Sequence, residues 1–157
     1  MREDAFSLDV EELAAMTPDM PFRPVIRTQA DLEHAWRQLM EPLGFSRHSI
    51  WMMLVDGDDR PIPRVTEIEG AVEPPEPEEV DGLAELLRRL HTNVAPRARF
   101  AFLRSRPGGG GINPDDRGWA QALYDAARQA HVPIEVVHLA NDHALIPIPM
   151  DDYLAAG

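Results

Sequence analysis

Cysteine and lysine are both missing from this 157-residue chain. Without cysteine there is no disulfide framework, no thiolate metal site and no cysteine nucleophile. Arginine supplies all 15 basic residues, which we read as codon bias from a GC-rich genome rather than chemistry. No apolar run approaches the ~20 residues of a membrane span, and no signal peptide is visible at the N-terminus. Positive charge is scarce too. The net charge of -12 argues against a general nucleic-acid binder, which needs a basic footprint. What is present is 44% hydrophobic. The length suits one domain burying roughly two-thirds of its unfolded surface. These features predict a cytoplasmic domain with no membrane or nucleic-acid partner, and they name no activity.

The charge is unevenly placed. Eight acids and no base lie between Glu67 and Glu85, and six arginines and no acid between Arg88 and Arg106. Folding can turn this into a two-signed surface or leave an acidic loop beside solvated arginines.

Residues 1–28 read as an irregular arm, broken by Pro18, Pro21 and Pro24. Residues 29–157 read as one domain. Thr28-Gln-Ala-Asp31 has the form of a capping box. Leu32, Ala35, Trp36, Leu39, Met40 and Leu43 then recur at helical spacing until Pro42 and Gly44. Ser49–Val55 is a dense apolar run expected to form a buried strand. Asp56-Gly-Asp-Asp59 supplies a turn, and residues 62–68 return as the second arm of a hairpin. Pro61 and Pro63 lack donors, so that arm is expected to begin at a sheet edge or irregularly.

Glu73-Pro-Pro-Glu-Pro-Glu-Glu79 is a stiff acidic connector leading into a helix that carries Leu83, Leu86, Leu87 and Leu90. Arg99–Leu103 is the next expected strand. Arg104-Ser-Arg-Pro-Gly-Gly-Gly-Gly111 follows as an irregular loop. Asn113 caps a further helix, with Pro114 at its first position, Asp116 at its third, and Trp119, Leu123 and a row of alanines on one face. Residues 134–139 and 144–148 close the chain as a hairpin around Asn141-Asp142. The alternation predicts an α/β sandwich with helices on a mixed central sheet. Trp36, Trp51, Leu54, Leu87, Phe100, Phe102, Trp119 and Leu123 are its expected core.

Two stretches look like parts of a known family. Leu54-Val-Asp-Gly-Asp-Asp-Arg60 is similar to a first hairpin whose strand ends in Leu-Asp-x-x-x-Arg. Phe102-Leu-Arg-Ser-Arg-Pro-Gly-Gly-Gly-Gly-Ile-Asn-Pro-Asp-Asp116 is similar to a strand ending in His-x-His-Pro, a small-residue loop and a helix opening with Ser-x-x-Asp. With the element order, residues 49–148 resemble the JAB/JAMM superfamily and, within it, the RadC-like proteins. The resemblance implies a JAB-like helix-sheet-helix sandwich. It also implies zinc-dependent hydrolysis by two histidines, an aspartate and an upstream glutamate. Carried over by position, the histidines become Arg104 and Arg106. The aspartate is kept as Asp116, and Glu67 or Glu69 stands for the glutamate. Arginine has no lone pair for zinc and repels it. The expectation is therefore a metal-free, cofactor-free relative that is not an enzyme.

The same residues also have plain structural readings. At N3, Asp116 stabilises the helix start and can pair with Arg106 or Arg117. Glu67 and Glu69 can be solvent-facing strand residues. Three functions follow. The first is an inactive RadC/JAB-like domain binding a protein partner. Its surfaces would be the arm, through Phe6, Met16, Met20 and Phe22, or the acidic Pro/Glu stretch. The second is a small-anion or nucleotide binder using Arg104, Arg106 and the backbone of Gly108, Gly109, Gly110 and Gly111. The third is a hydrolase with an atypical metal site, such as Asp116 with His138 or His143. The arginine loop is expected to be exposed, so removing both arginines should leave the fold intact.

Overall fold

The computed structural model describes residues 24–150. Helix α1 spans Gln29–Met40, α2 Pro77–Asn93 and α3 Pro114–Ala130. Strands β1 to β5 span Ser49–Val55, Pro61–Glu69, Arg99–Ser105, Val137–Ala140 and Leu145–Ile148. They form one sheet in the order β2-β1-β3-β4-β5. Only the β3–β4 pairing is parallel, so the sheet is mixed, and the chain is α/β. β2 lies at the edge, where Pro61 and Pro63 leave no central ladder bond unmade.

Each helix begins where its cap chemistry dictates. The Thr28 Oγ1 accepts from the Asp31 N–H at 3.0 Å, and the Asp31 carboxylate accepts from the Thr28 N–H at 3.1 Å. Asn113 and Asp116 make the same reciprocal pair at 2.8 and 2.9 Å. α1 stops at Met40, short of the expected Leu43. Glu41 precedes a proline and is extended, with ψ 143°.

Strand alternation assigns the two faces. Ile50, Met52 and Leu54 share one face with Phe100 and Phe102, and α2 and α3 cover it. Met53, Val55, Ala101 and Leu103 share the other, where α1 lays Leu32, Ala35, Trp36 and Met40. The layers are therefore one helix, a sheet and two helices. Seven of the eight expected core residues are buried; Trp51 is half-buried. Its ring packs under α1 while its Nε1 donates to the Ser105 Oγ at 2.9 Å. Tyr124, which periodicity does not single out as polar glue, donates to the Ile148 carbonyl at 2.7 Å. It also accepts from the Val137 N–H at 2.9 Å, tying α3 to β4 and β5.

Other boundaries move as well. The domain reaches back to Ile26, inside the expected arm: its side chain is buried, and its N–H donates to the Asp59 carbonyl at 2.7 Å. Phe6, Met16, Met20 and Phe22 lie outside the described residues. β4 begins at Val137 rather than 134; Ile134 makes only an isolated parallel bridge with Phe100.

Candidate functional site

β3 continues through Ser105, two residues past its expected end, so Arg104 is a strand residue and not a loop residue. It stands opposite Ile50 on the face covered by α2 and α3. Its side chain is 1% exposed, that of Arg106 6%, and that of Asp116 0%. The three converge. The Arg104 Nε donates to Asp116 Oδ1 at 2.7 Å. Arg106 donates to Oδ1 from Nε at 2.9 Å and to Oδ2 from Nη2 at 2.9 Å. With the Asn113 N–H on Oδ2, each oxygen of Asp116 accepts at least two hydrogen bonds. Burial opposes the carboxylate charge, but the bonds from Arg106, the Asn113 N–H and Arg104 outweigh it and hold the Asp116 carboxyl below its ordinary range. Burial pushes the Arg104 guanidinium down, Arg106 adds to that, and Asp116 opposes it.

The remaining guanidinium donors turn to backbone carbonyls. Arg104 Nη1 and Nη2 reach the carbonyls of Ala71 and Val72, which anchors the start of the acidic connector. Arg106 reaches the carbonyls of Pro107, Gly109 and Gly111 at 3.2, 3.5 and 3.1 Å. The glycine loop is thus wound around a guanidinium. Its other side is fixed to the β4–β5 turn. The Gly108 N–H donates to Asp142 Oδ2 at 2.8 Å, and Asn141 Nδ2 donates to the Gly110 carbonyl at 2.9 Å. Positive φ at Gly108 and Gly110, +92° and +78°, is what lets the carbonyls turn inward.

These contacts correct several expectations. Arg104 and Arg106 are not solvated, and they are not removable without cost to the fold. Neither is free to grip an anion, since Arg106 has spent its donors on Asp116 and the loop. Glu67 does not join the cluster. It stands opposite Trp51, so it lies on the α1 face, away from Arg104. There its carboxylate accepts from Ser49 Oγ at 2.7 Å and Arg47 Nε at 3.1 Å. Glu69 shares that face and pairs with Arg47 at 3.4 Å. The positions facing the cluster on β2 carry Thr66 and Ile68, which bring no base. His138 lies in β4 under α1, whereas His143 is exposed beside Gly109. Among the described residues no three His, Asp or Glu side chains are placed to hold a metal ion.

The zinc that the resemblance implies does not fit this cluster. Two of the three positions offer only N–H donors, and the third carboxylate is saturated. Comparison with protein-family models, curated proteins and solved structures gave no match. Among the described residues no helix is long and apolar enough to cross a membrane.

Proposed function

We propose that the chain is a catalytically inactive RadC/JAB-like domain that works by binding a protein partner. One observation carries the reading: Arg104, Arg106 and Asp116 converge at the strand end and helix start where the resembled family assembles its metal set, and a salt-bridge cluster fills the place. The partner surface this favours is the acidic Pro/Glu stretch. Pro75, Pro77 and Val80 form one wall of a groove of about 420 Å³, with Gly118, Ala122 and Asp125 opposite. Prolines hold such a wall in shape before binding, which limits the ordering cost.

Elemental analysis and a zinc thermal-shift series test the scaffold half. Wild-type protein should carry no stoichiometric zinc and should not respond to it. The double variant Arg104→His plus Arg106→His should bind one zinc per chain and gain melting temperature from it. One tightly held zinc in the wild type, or a folded double variant indifferent to zinc, would overturn the reading. Ala122→Arg fills the groove and tests the partner half. Loss of a co-purifying protein with this variant supports the groove, and an unchanged set of co-purifying proteins rejects it.

A small-anion reading keeps one observation in its favour, carried by the expected glycine backbone and without the two arginines, which are engaged with Asp116. The carbonyls of residues 107–111 all accept internal hydrogen bonds, whereas the N–H groups of residues 109–112 have no acceptor among the described residues. Peptide planarity turns these N–H groups away from Arg106 and the β4–β5 turn. Amide shifts of Gly109–Gly111 on phosphate addition, absent with chloride, would establish it.

A further inference from the structure

We infer that α1 is an acid-released cover over the sheet, with the buried imidazole of His138 as its trigger. His138 stands on β4 between Leu103 of β3 and Pro147 of β5, on the α1 face. It is 0% exposed. Its Nδ1 lies 3.1 Å from the Val136 carbonyl. A carbonyl only accepts, so the proton of the neutral ring is assigned to Nδ1, and Nε2 holds a bare lone pair. That Nε2 is buried and without a partner.

The neutral ring tolerates this position and the charged ring does not. Protonation would place an N–H and a full charge where nothing accepts them. The charged groups near the ring are Glu33 and Arg37, both on α1. They are already paired with each other at 3.1 Å. The flanking strand neighbours, Leu103 and Pro147, are uncharged. A cationic His138 would therefore repel Arg37 and compete with it for Glu33. Arg37 also reaches the Leu145 carbonyl of β5 at 3.5 Å. Disturbing it loosens a polar tether between α1 and the sheet. The rest of that interface is apolar contact by Leu32, Ala35, Trp36 and Met40. It includes a second buried polar atom without a partner, the Trp36 Nε1. α2 and α3 lie on the opposite face and do not share the disturbance.

The sign of the pH effect follows from linkage. Burial lowers the His138 pKa from its ordinary 6.5. The uncovered state then binds the proton more readily, and α1 is held less firmly as pH falls below about 6.5. At about pH 5.5, one pH unit below the free value, opening gains up to roughly tenfold.

Hydrogen exchange of the full chain at about pH 7.5 and about pH 5.5, corrected for intrinsic rates, reads this directly. Amides of Gln29–Met40 should open several-fold to tenfold more often at the lower pH and, at both pH values, at a smaller free energy than those of α2 and α3, which open only with the whole molecule. His138→Leu should abolish the difference, and His138→Met provides the same test if that variant folds poorly. Equal protection of α1 at both pH values would overturn the inference. So would exchange of all three helices at one common opening free energy, or a pH response that survives removal of the imidazole.

Discussion

Asp116 has two cations and no spare lone pair, which sets what its removal must cost. Asp116→Asn keeps the shape but leaves Arg104 and Arg106 as buried, uncompensated charges. Breaking a buried pair by removing one partner costs about 3–5 kcal/mol. We expect a loss of that size in urea unfolding, with the slope of the transition unchanged. A loss under about 1 kcal/mol would mean that water reaches the guanidinium groups. Arg106→Lys should also destabilise. A single ammonium cannot serve Asp116 and the carbonyls of Pro107, Gly109 and Gly111 together. The cap role of Asp116 was legible in Asn113-Pro-Asp-Asp116, because capping is local. The burial of two arginines was not. A strand ending in Arg-Ser-Arg before four glycines has the composition of a surface loop, and only the non-local fold shows that α3 and the connector close over it.

Elements were the most legible scale, because periodicity and caps act over a few residues. The apolar run of β1, the capping box of α1 and the Asn-Pro start of α3 all stand where their chemistry puts them. Ends shifted where the deciding partner is distant. β3 runs on to Ser105 because the ladder with β1 continues to the Ser49–Ser105 pair. The two helical glycines make a contrast that no helix propensity scale contains. Gly82 in α2 is exposed and has nothing within 4 Å of an added Cβ. Gly82→Ala should stabilise by about 0.5–1 kcal/mol. At Gly118 in α3 an added Cβ would stand 2.5 Å from the Pro74 Cγ. Gly118→Ala should destabilise despite the same gain in propensity, because the connector must move off the helix. Urea midpoints of the two variants should shift in opposite directions; equal shifts would mean that Pro74 yields freely.

The whole molecule has a stability that depends on pH through two buried groups in opposite layers. His138 lies between the sheet and α1, and Asp116 lies at the start of α3 beneath the connector. His138 has a folded pKa below its free value of 6.5. The stability that its neutral form allows is complete above that value and is lost as pH falls below it. Asp116 has a folded pKa below its free value of 3.8. Its contribution is complete above 3.8 and is lost only as pH falls further, toward its folded value. Each group that binds a proton only when unfolded gives a slope of about 1.4 kcal/mol per pH unit. The net charge of -12 works the other way, since protonating surface carboxylates relieves self-repulsion. Ordinary carboxylates titrate near pH 4, so between about pH 5.5 and 6.5 that relief is small and the His138 slope dominates. Unfolding free energy should therefore decline from about pH 6.5 downward and steepen again below about pH 4. His138→Leu should flatten the first decline and keep the second, whereas Asp116→Asn should keep the first and weaken the second. Urea-unfolding midpoints across the pH series for the three proteins would separate the two groups. An unchanged first decline in His138→Leu would assign it to a group outside the α1 layer.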